Sequence, residues 1–344
     1  MRTQVEETID HIEYDNFLKN SKEATFYHTS KHLLFLGDMI GLTPKFITAR
    51  ENDKLTGAMP FFVKESIHGK VINSLPFFGS YGGVVSENTE TQKAILHQIN
   101  IFNKENDVLS ATIIVTPFTK NNDIYEKYYQ FNIQENRLVQ CLLLQNKTED
   151  DIWQQFEQRV RRAVRKSIRY EVQIKKPDLD DSVMANFYLM HKKDMETKGG
   201  KPKPPEFFKM LKKNFIQTED YDIFLASRND QEIAYLLAFY FHSFTEYYMP
   251  AYNSELKHLQ ATSLLIWESI KSSISKKILY YNFGGTWKNQ PELYLYKRGW
   301  NASDFPYNYY IYGDIERAKC IGLDEIKNAY QNFYVFPYDV LKQN

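Results

Sequence analysis

Cysteine is scarce in this chain, which has two of them, Cys141 and Cys320, among 344 residues. Two cysteines so far apart build no disulfide framework, so the sequence is not that of a small disulfide-stapled domain. Their number is typical of proteins from a reducing compartment. Neither cysteine forms, with a histidine, a pattern that would indicate nucleophilic catalysis.

An excess of charge of either sign is also missing, because 43 basic residues balance 43 acidic ones. Attraction to a nucleic acid or to a membrane would therefore need a local patch, and we expect no DNA partner. The longest apolar runs, such as 235–241, are far shorter than the roughly 20 residues that cross a bilayer. The first 19 residues are too charged for a secretory signal. We therefore expect a cytoplasmic protein without a transmembrane segment.

Apolar side chains are abundant instead, at 43% of the residues, and aromatic residues make up 15%. This composition predicts a globular protein, and the length suffices for two domains with separate cores. The predicted mixture of helices and strands makes the expected fold class α/β. Periodicity and turn signals predict one order of elements in both 1–147 and 148–313. That order is two helices, three antiparallel strands, helix, strand, helix and strand. The repeat is one of pattern, without notable sequence identity between the halves.

The stretch 282–300, NFGGTWKNQPELYLYKRGW, predicts the end of a strand, a glycine loop and a short helix. Gly284 and Gly285 allow a sharp turn and the close approach of a ligand to backbone amides. Asn289 is the predicted N-cap of the helix, and Lys297 lies at its far end. From these residues alone, the favoured interpretation of Lys297 is an exposed lysine that complements the helix dipole.

This stretch resembles the C-terminal signature of the Fem-type (FemAB-like) transferases of the GNAT acyltransferase superfamily, which join amino acids to the peptidoglycan stem peptide. The matching positions are Gly284, Gly285, Thr286, Leu293, Tyr294, Tyr296, Lys297 and Trp300. The family position before the lysine is commonly Phe, and here it is Tyr. The predicted order of elements is that of the GNAT fold. The resemblance therefore implies two tandem GNAT-like domains, each a mixed, mainly antiparallel sheet flanked by helices, with residues 314–344 packed on the first.

The resemblance also implies roles for individual residues in an acyl transfer to an amine. Lys297 would supply the cation that steadies the tetrahedral oxyanion, and Tyr296 would form the neighbouring wall. No general base is visible in the sequence, so the substrate itself would accept the proton. The implied substrate contacts outside the basic helix are Ser80, Tyr81, Gly82, Gly83, Tyr248, Tyr252, Gly284, Gly285 and Thr286. For the loop 80–83, an ordinary strand-to-helix turn is the alternative, and strand packing is the alternative for the tyrosines.

The predicted helix 149–169 carries six cations in its last eleven residues, uninterrupted by an acidic residue. Its predicted buried stripe consists of Trp153, Phe156, Val160, Ala163, Val164 and Ile168. Guanidinium groups suit phosphates because they donate two parallel hydrogen bonds. We expect Arg159 and Arg162 to hold phosphate or peptide of the acceptor. A solvated charged face is the alternative.

The sequence lacks the motif with which GNAT enzymes bind acetyl-CoA, and this bears on the identity of the acyl donor. Acetyl-CoA-dependent GNAT enzymes place Q/R-x-x-G-x-G/A at the strand–helix junction, whereas segment 256–262 contains no glycine. This disfavours acetyl-CoA. The resemblance to Fem-type transferases implies aminoacyl-tRNA as the donor instead, with no bound cofactor. The long helical hairpin with which many Fem-type proteins are built is replaced by a loop at 192–205, which weakens the case for tRNA binding there. The spacing of His28 and His32 fits a metal site, but a third ligand is missing, so no metal is expected.

Three functions remain open at this level. The first is an aminoacyltransferase of cell-wall peptidoglycan assembly, whose acceptor carries an amine and a phosphate and which touches the inner membrane face transiently. The second is a GNAT-like N-acyltransferase that modifies polysaccharides or lipid-linked sugars with a different donor. The third is a degenerate GNAT scaffold that only binds a partner.

Overall fold

The computed structural model describes residues 1–76, 81–119, 122–287 and 289–342. Contacts within the chain divide it into two compact units. The first consists of 1–137 and 306–344, and the second of 138–305. Among the described residues, no helix is both long and apolar enough to cross a membrane.

The elements of the first part of the chain are seven strands and four helices, and a 3-10 turn covers Phe26–His28. The strands are β1 Arg2–Glu6, β2 Lys45–Glu51, β3 Lys54–Ser66, β4 Gly69–Asn73, β5 Val85–Ser86, β6 Val108–Ile114 and β7 Ile133–Leu143. The helices are α1 His11–Lys19, α2 Ser30–Ile40, α3 Thr89–Glu105 and α4 Asn122–Tyr128.

The remaining elements begin after β7, and a second 3-10 turn covers Ser254–Leu259. The strands are β8 Gln173–Lys175, β9 Tyr221–Arg228, β10 Gln231–Phe241, β11 Phe244–Tyr252, β12 Tyr280–Gly285 and β13 Ser303–Gly313. The helices are α5 Glu149–Gln155, α6 Gln158–Arg169, α7 Asp181–Thr197, α8 Glu206–Asn214, α9 Ala261–Ser275, α10 Pro291–Gly299, α11 Ile315–Ile321, α12 Leu323–Ala329 and α13 Tyr338–Leu341.

The first unit contains a mixed sheet in the order β1-β2-β3-β4-β6-β13, with β5 paired to β3. Its pairs are antiparallel except β4 with β6. The C-terminal segment packs on this sheet, since the Tyr330 hydroxyl donates to the Gly69 carbonyl at 2.9 Å and Ser110 Oγ to the Val335 carbonyl at 2.6 Å. The core consists of side chains from the sheet and α3, such as Ile47, Ile95 and Ile113.

The second unit contains a sheet in the order β7-β12-β11-β10-β9-β8. Only β11 and β12 pair in parallel within it. Its core lies between this sheet and the helices α6 and α9, and it includes Val164, Leu236, Ile266 and Trp300. The compact units are bounded differently from the predicted domains, because residues 138–147 lie with the second unit and residues 306–313 with the first.

Local chemistry explains how the strands are joined. The loops between β2 and β3 and between β9 and β10 are tight hairpin turns, and all four turn residues have positive φ: Asn52, Asp53, Asn229 and Asp230. Asn and Asp tolerate this left-handed conformation, and the resulting turn matches the twist of antiparallel strands. The prediction for α10 is wrong by one residue at its start, because its N-cap is Gln290 instead of Asn289.

Candidate active site

Two neighbouring strands of the second unit part at the candidate site. The parallel pairing of β11 with β12 covers three residue pairs, which end at Glu246 and Asn282. The chain of β12 then turns at Gly284, where φ is +76°. In β11 the register against β10 shifts so that Tyr248 is an extra residue, which is a β-bulge. The two strands therefore open a gap beside the glycine loop of residues 284–286.

Lys297 is buried below this glycine loop, with 4% of its surface exposed. Its ammonium donates to the carbonyls of Gly284 at 2.8 Å and Gly285 at 2.7 Å and to Thr286 Oγ1 at 3.0 Å. These three acceptors match the three donors of an ammonium group. Burial lowers the pKa of Lys297 to about 8. The expectation of an exposed lysine at the helix end is wrong, because the loop carbonyls draw the side chain inward.

The glycine loop is fixed on its other sides as well. The Gly284 amide donates to Asn282 Oδ1 at 2.8 Å, and the Thr286 amide donates to the Leu138 carbonyl at 3.0 Å. Thr286 Oγ1 also donates to Gln140 Oε1 at 3.1 Å. No atom lies within 4 Å of the position that a Cβ on Gly284 would take, among the residues described. The loop is therefore held from below by Lys297 and is open at Gly284.

A buried acid completes the site, and the sequence analysis did not assign it a role. Glu246 is buried and accepts from Asn282 Nδ2 at 2.8 Å. Asn282 Oδ1 in turn accepts from Cys141 Sγ at 3.4 Å. Burial raises the pKa of the Cys141 thiol, Glu246 raises it further and Lys297 lowers it. The site thus places a buried carboxylate and a buried ammonium around one thiol. The only sequence signal for Glu246 was an acidic residue inside an aromatic strand.

Tyr296 lies in a group of tyrosines next to the glycine loop. Burial raises its pKa to about 12, and Tyr252 also raises it, whereas the neighbouring polar groups of Trp300 and Ser263 lower it. Burial also raises the pKa of Tyr247, which interacts electrostatically with Tyr296 and Asp194 as well as with Tyr252. The structure therefore brings together the predicted residues Tyr296 and Tyr252, and it adds Tyr247 and Asp194 to them.

Tyr248 belongs to a different environment from these tyrosines. Its ring centroid lies 4.9 Å from that of Phe239 in an edge-to-face contact and 6.1 Å from that of Phe207 in α8. The ammonium of Lys203 lies 5.0 Å from the Tyr248 ring centroid. These contacts account for Tyr248 by packing and by a cation–π interaction. Its role in substrate binding stays a prediction.

The basic helix α6 has two kinds of cation. Arg159 donates to the Leu295 carbonyl of α10 and pairs with Glu157 at 2.7 Å, so this guanidinium is already engaged. Arg162 and Arg169 are exposed and form no hydrogen bond or ion pair with any described residue. One member of the predicted buried stripe is wrong, since 56% of Ile168 is exposed. Ser167 takes the buried position, because the helix turns that face toward the core.

The predicted loop of the first unit is described from Tyr81 onward, and Ser80 lies outside the described residues. Tyr81 is buried, with edge-to-face contacts to Tyr27 at 5.1 Å and Tyr307 at 5.3 Å. A Cβ on Gly82 would lie 2.6 Å from Leu75 Cγ, and one on Gly83 would lie 2.8 Å from the Tyr125 hydroxyl. Close packing therefore explains both glycines. Their part in substrate binding stays a prediction.

No group of three or more His, Cys, Asp or Glu side chains among residues 1–76, 81–119, 122–287 and 289–342 could hold a metal ion. The described cluster contains two buried acids, Glu246 and Asp194, one buried cation, Lys297, and several tyrosine hydroxyls. Such a set suits the stabilisation of charge on a carbonyl by preorganised groups.

The sequence of the second unit matches one family model. Residues 154–298 match the model of an acetyltransferase (GNAT) domain. The matched part of the chain contains α6, the separated strands and Lys297, and it is similar in sequence to GNAT domains.

The fold of the whole chain is similar to that of FemX, with a TM-score of 0.72 at 15% sequence identity over 90% of this chain and 97% of that one. The resemblance to FemAB-like proteins and the predicted tandem GNAT fold are confirmed at this level.

Other solved structures share the fold at lower similarity. One is the C-terminal domain of a putative lysylphosphatidylglycerol synthetase from Agrobacterium fabrum, with a TM-score of 0.59 at 6% identity over 94% of this chain and 98% of that one. Another is a tandem GNAT protein from the clavulanic acid biosynthesis pathway, with a TM-score of 0.53 at 7% identity over 90% of this chain and 98% of that one. A search of curated proteins finds no sequence that matches this chain.

Proposed function

We propose that this chain transfers an aminoacyl group from an ester donor, aminoacyl-tRNA, to a primary amine. The observation that carries the proposal is the buried ammonium of Lys297, which is fixed beneath an open glycine loop where β11 and β12 part. In this reaction the amine nitrogen attacks the ester carbonyl carbon, a C–N bond forms and the ester C–O bond breaks. The proton released by the amine ends on the departing hydroxyl oxygen.

In this proposal Lys297 acts through its charge. The tetrahedral intermediate carries a negative oxygen, and a carbonyl placed over the open face of Gly284 would lie above the buried ammonium. A charge in the protein interior is screened less than one in water, so it stabilises this oxyanion more strongly. Tyr296 closes the neighbouring wall by packing against the core that contains Trp300.

The segment before α9 supports a donor other than acetyl-CoA. A pyrophosphate cradle needs glycines that let backbone amides approach the phosphates closely. Residues 254–259 instead form a 3-10 turn whose last residue, Leu259, is buried. Gln260 follows in the left-handed conformation and directly precedes α9. This segment contains no glycine, so it lacks the residues that would let its backbone amides approach a pyrophosphate closely.

The exposed arginines of α6 support an anionic partner. Arg162 and Arg169 have no hydrogen-bond or ion-pair partner among the described residues, so their guanidinium groups are available to a phosphate. We propose that the partner is charged tRNA or a phosphate-bearing acceptor of cell-wall assembly. If the acceptor is attached to the inner face of the membrane, the protein would touch the membrane transiently while it binds the acceptor.

A second candidate is an N-acyltransferase that uses a CoA thioester to modify a polysaccharide or lipid-linked sugar. The match of residues 154–298 to an acetyltransferase domain favours it. Under this alternative the same amine would attack a thioester carbonyl. A protein that only binds its partner is the third candidate, and any turnover excludes it.

The experiment is a transfer assay with labelled aminoacyl-tRNA and, in parallel, labelled acetyl-CoA, each supplied with a peptidoglycan-type peptide that carries a free amine. We expect label from the tRNA in the peptide, loss of transfer in Lys297→Met, and retained transfer in Lys192→Met. Lys192 is an exposed lysine of α7 paired with Glu196 at 4.0 Å, so it controls for the loss of a lysine. Label from acetyl-CoA alone would overturn the proposal in favour of the second candidate.

A further inference from the structure

An ammonium group already occupies a built position beside the candidate site. Lys198 follows the last residue of α7, and its Nζ donates to Asp194 Oδ2 at 2.7 Å. The same Nζ lies 4.6 Å from the centroid of the Tyr252 ring. A carboxylate on one side and an aromatic face on another are the two groups that proteins use to hold ammonium ions.

The burial of the two charged partners is unequal. Asp194 has 3% of its side chain exposed, whereas Lys198 has 47%. A buried carboxylate needs a partner, and a half-exposed lysine side chain can leave toward solvent. Two glycines, Gly199 and Gly200, follow Lys198, and Gly199 has φ +68°. The carboxylate is thus a fixed part of the fold, while the ammonium that fills the position is the mobile one.

An ordinary helical ion pair on the same helix provides a comparison. Lys192 and Glu196 have the same four-residue separation, but both side chains are about half exposed or more, at 47% and 58%, and the N–O distance is 4.0 Å. That pair is typical of a solvated helix surface. The pair of Asp194 and Lys198 is shorter, it has a buried carboxylate, and an aromatic ring covers its ammonium. Spacing along the helix therefore does not account for the second pair.

The position is connected to the candidate site. Asp194 contributes to raising the pKa of Tyr247, whose ring centroid lies 5.8 Å from that of Phe283, and Phe283 directly precedes the glycine loop. Tyr252 also lines an open pocket of about 500 Å³, together with Lys193, Asp230 and Glu232. Tyr252, whose ring covers the Lys198 ammonium, is therefore also a wall of an open pocket.

We propose that Asp194 and Tyr252 form a binding subsite for a primary ammonium group of the substrate, and that Lys198 occupies this subsite in the free protein. The proposal deepens the proposed function and rests on it for the identity of the reaction. The ammonium belongs either to the α-amino group of an aminoacyl donor or to an amine of the acceptor. In both cases the substrate must displace Lys198, which then acts as an internal competitor.

The test measures binding of small amines by calorimetry, without donor or transfer. Glycinamide carries an α-ammonium next to a carbonyl, n-butylamine carries a plain alkylammonium, and n-butanol is the neutral control. We expect Lys198→Met to bind at least one of the amines at least tenfold more tightly than the wild-type protein, with no gain for butanol. The gain should disappear in Lys198→Met combined with Asp194→Asn, and Lys192→Met should bind as the wild type does.

Tighter binding of glycinamide would assign the subsite to the donor, and tighter binding of n-butylamine would assign it to the acceptor. An equal affinity of wild type and Lys198→Met for both amines would overturn the subsite, as would an equal gain for butanol. Should Lys198→Met fail to fold, Lys198→Gln serves in its place, because it keeps a hydrogen-bond donor for Asp194.

The outcome is separable from that of the transfer assay. If neither the wild type nor any variant transfers an aminoacyl group, but Lys198→Met still binds amines more tightly than the wild type, the proposed function fails and the subsite stands. If transfer occurs and the gain is missing, the proposed function stands and the subsite fails. Where both hold, Lys198→Met should also lower the KM for the substrate whose amine binds.

Discussion

Glu246 and Asn282 are register partners in the last residue pair before β11 and β12 part, and a hydrogen bond of 2.8 Å joins their side chains. Asn282 also accepts from the Gly284 amide, so this one amide group links the buried acid to the glycine loop. The gap between the strands therefore begins at a defined pair of side chains.

We predict that Asn282→Ala lowers the free energy of unfolding by about 1.5–3 kcal/mol, the range for a hydrogen bond to a charged group. The reason is that the buried Glu246 carboxylate loses its amide donor. Urea denaturation measures the change. In a Glu246→Gln background, Asn282→Ala should lower the free energy of unfolding by much less. The reason is that a hydrogen bond to an uncharged side chain is weaker than one to a carboxylate. A loss of the same size in both backgrounds would show that the two residues are not coupled.

Lys297→Met should destabilise the protein as well as inactivate it. Three acceptors, the carbonyls of Gly284 and Gly285 and Thr286 Oγ1, would lose their donor, and an unsatisfied buried group costs about 1–3 kcal/mol. Thermal unfolding would show this as a lower Tm. The exposed control Lys192→Met should change stability by less than about 0.5 kcal/mol. An unchanged Tm in Lys297→Met would mean that the loop does not depend on the ammonium.

The pH dependence of Lys297 should have opposite signs for activity and stability. Its pKa in the folded protein is about 8, below the value of 10.5 for a lysine in water. Between these values the unfolded chain binds more protons than the folded one, so the contribution of Lys297 to stability rises with pH across this window. Activity that depends on the ammonium should instead fall as pH rises through about 8.

Two measurements check these signs. The rate of transfer as a function of pH should fall above about pH 8 in the wild type. Urea unfolding should show a stability increment between pH 8 and 10.5 that is absent from Lys297→Met. A rate that rises through this window would mean that the neutral amine is the active form, which would make Lys297 a base.

Arg162→Ala should weaken the binding of charged tRNA by about 1.5–3 kcal/mol, as expected for a charge-assisted hydrogen bond to phosphate. Arg169, in the last turn of α6, should contribute far less when replaced by alanine. Filter binding at two salt concentrations is the measurement, because affinity for a polyanion falls as salt rises. Equal affinities in wild type and both variants would show that these cations form only a solvated face.

The order of elements was predictable because local signals carry it. The turns at Asn52–Asp53 and Asn229–Asp230 and the capped helix α7 all follow from short stretches of sequence. The strand β1 was missed because five partly exposed residues give no clear alternation. The sequence could not show that residues 306–313 belong to the first unit. They pair with β6, which lies about 200 residues earlier in the chain, and no local signal marks so distant a pairing.

The site was predictable in part. The glycine loop and Lys297 stand out from the sequence through a motif, but the burial of the ammonium depends on where the loop carbonyls lie. Glu246 and Asn282 meet because their strands pair, and nothing local marks them as partners. The neighbours Lys198 and Asp194 are four residues apart, yet only the packing of Tyr252 above them distinguishes this pair from Lys192 and Glu196.

The position of β13 bears on how the chain folds during its synthesis. The first unit needs residues 306–313 as a strand of its sheet and the segment after them as a cover, and the ribosome makes these after the second unit. The second unit, 138–305, is already complete when they emerge. We therefore expect the usual N-terminal-first order of domain folding to be reversed, because the unit that begins first stays incomplete until residues 306–313 have been made.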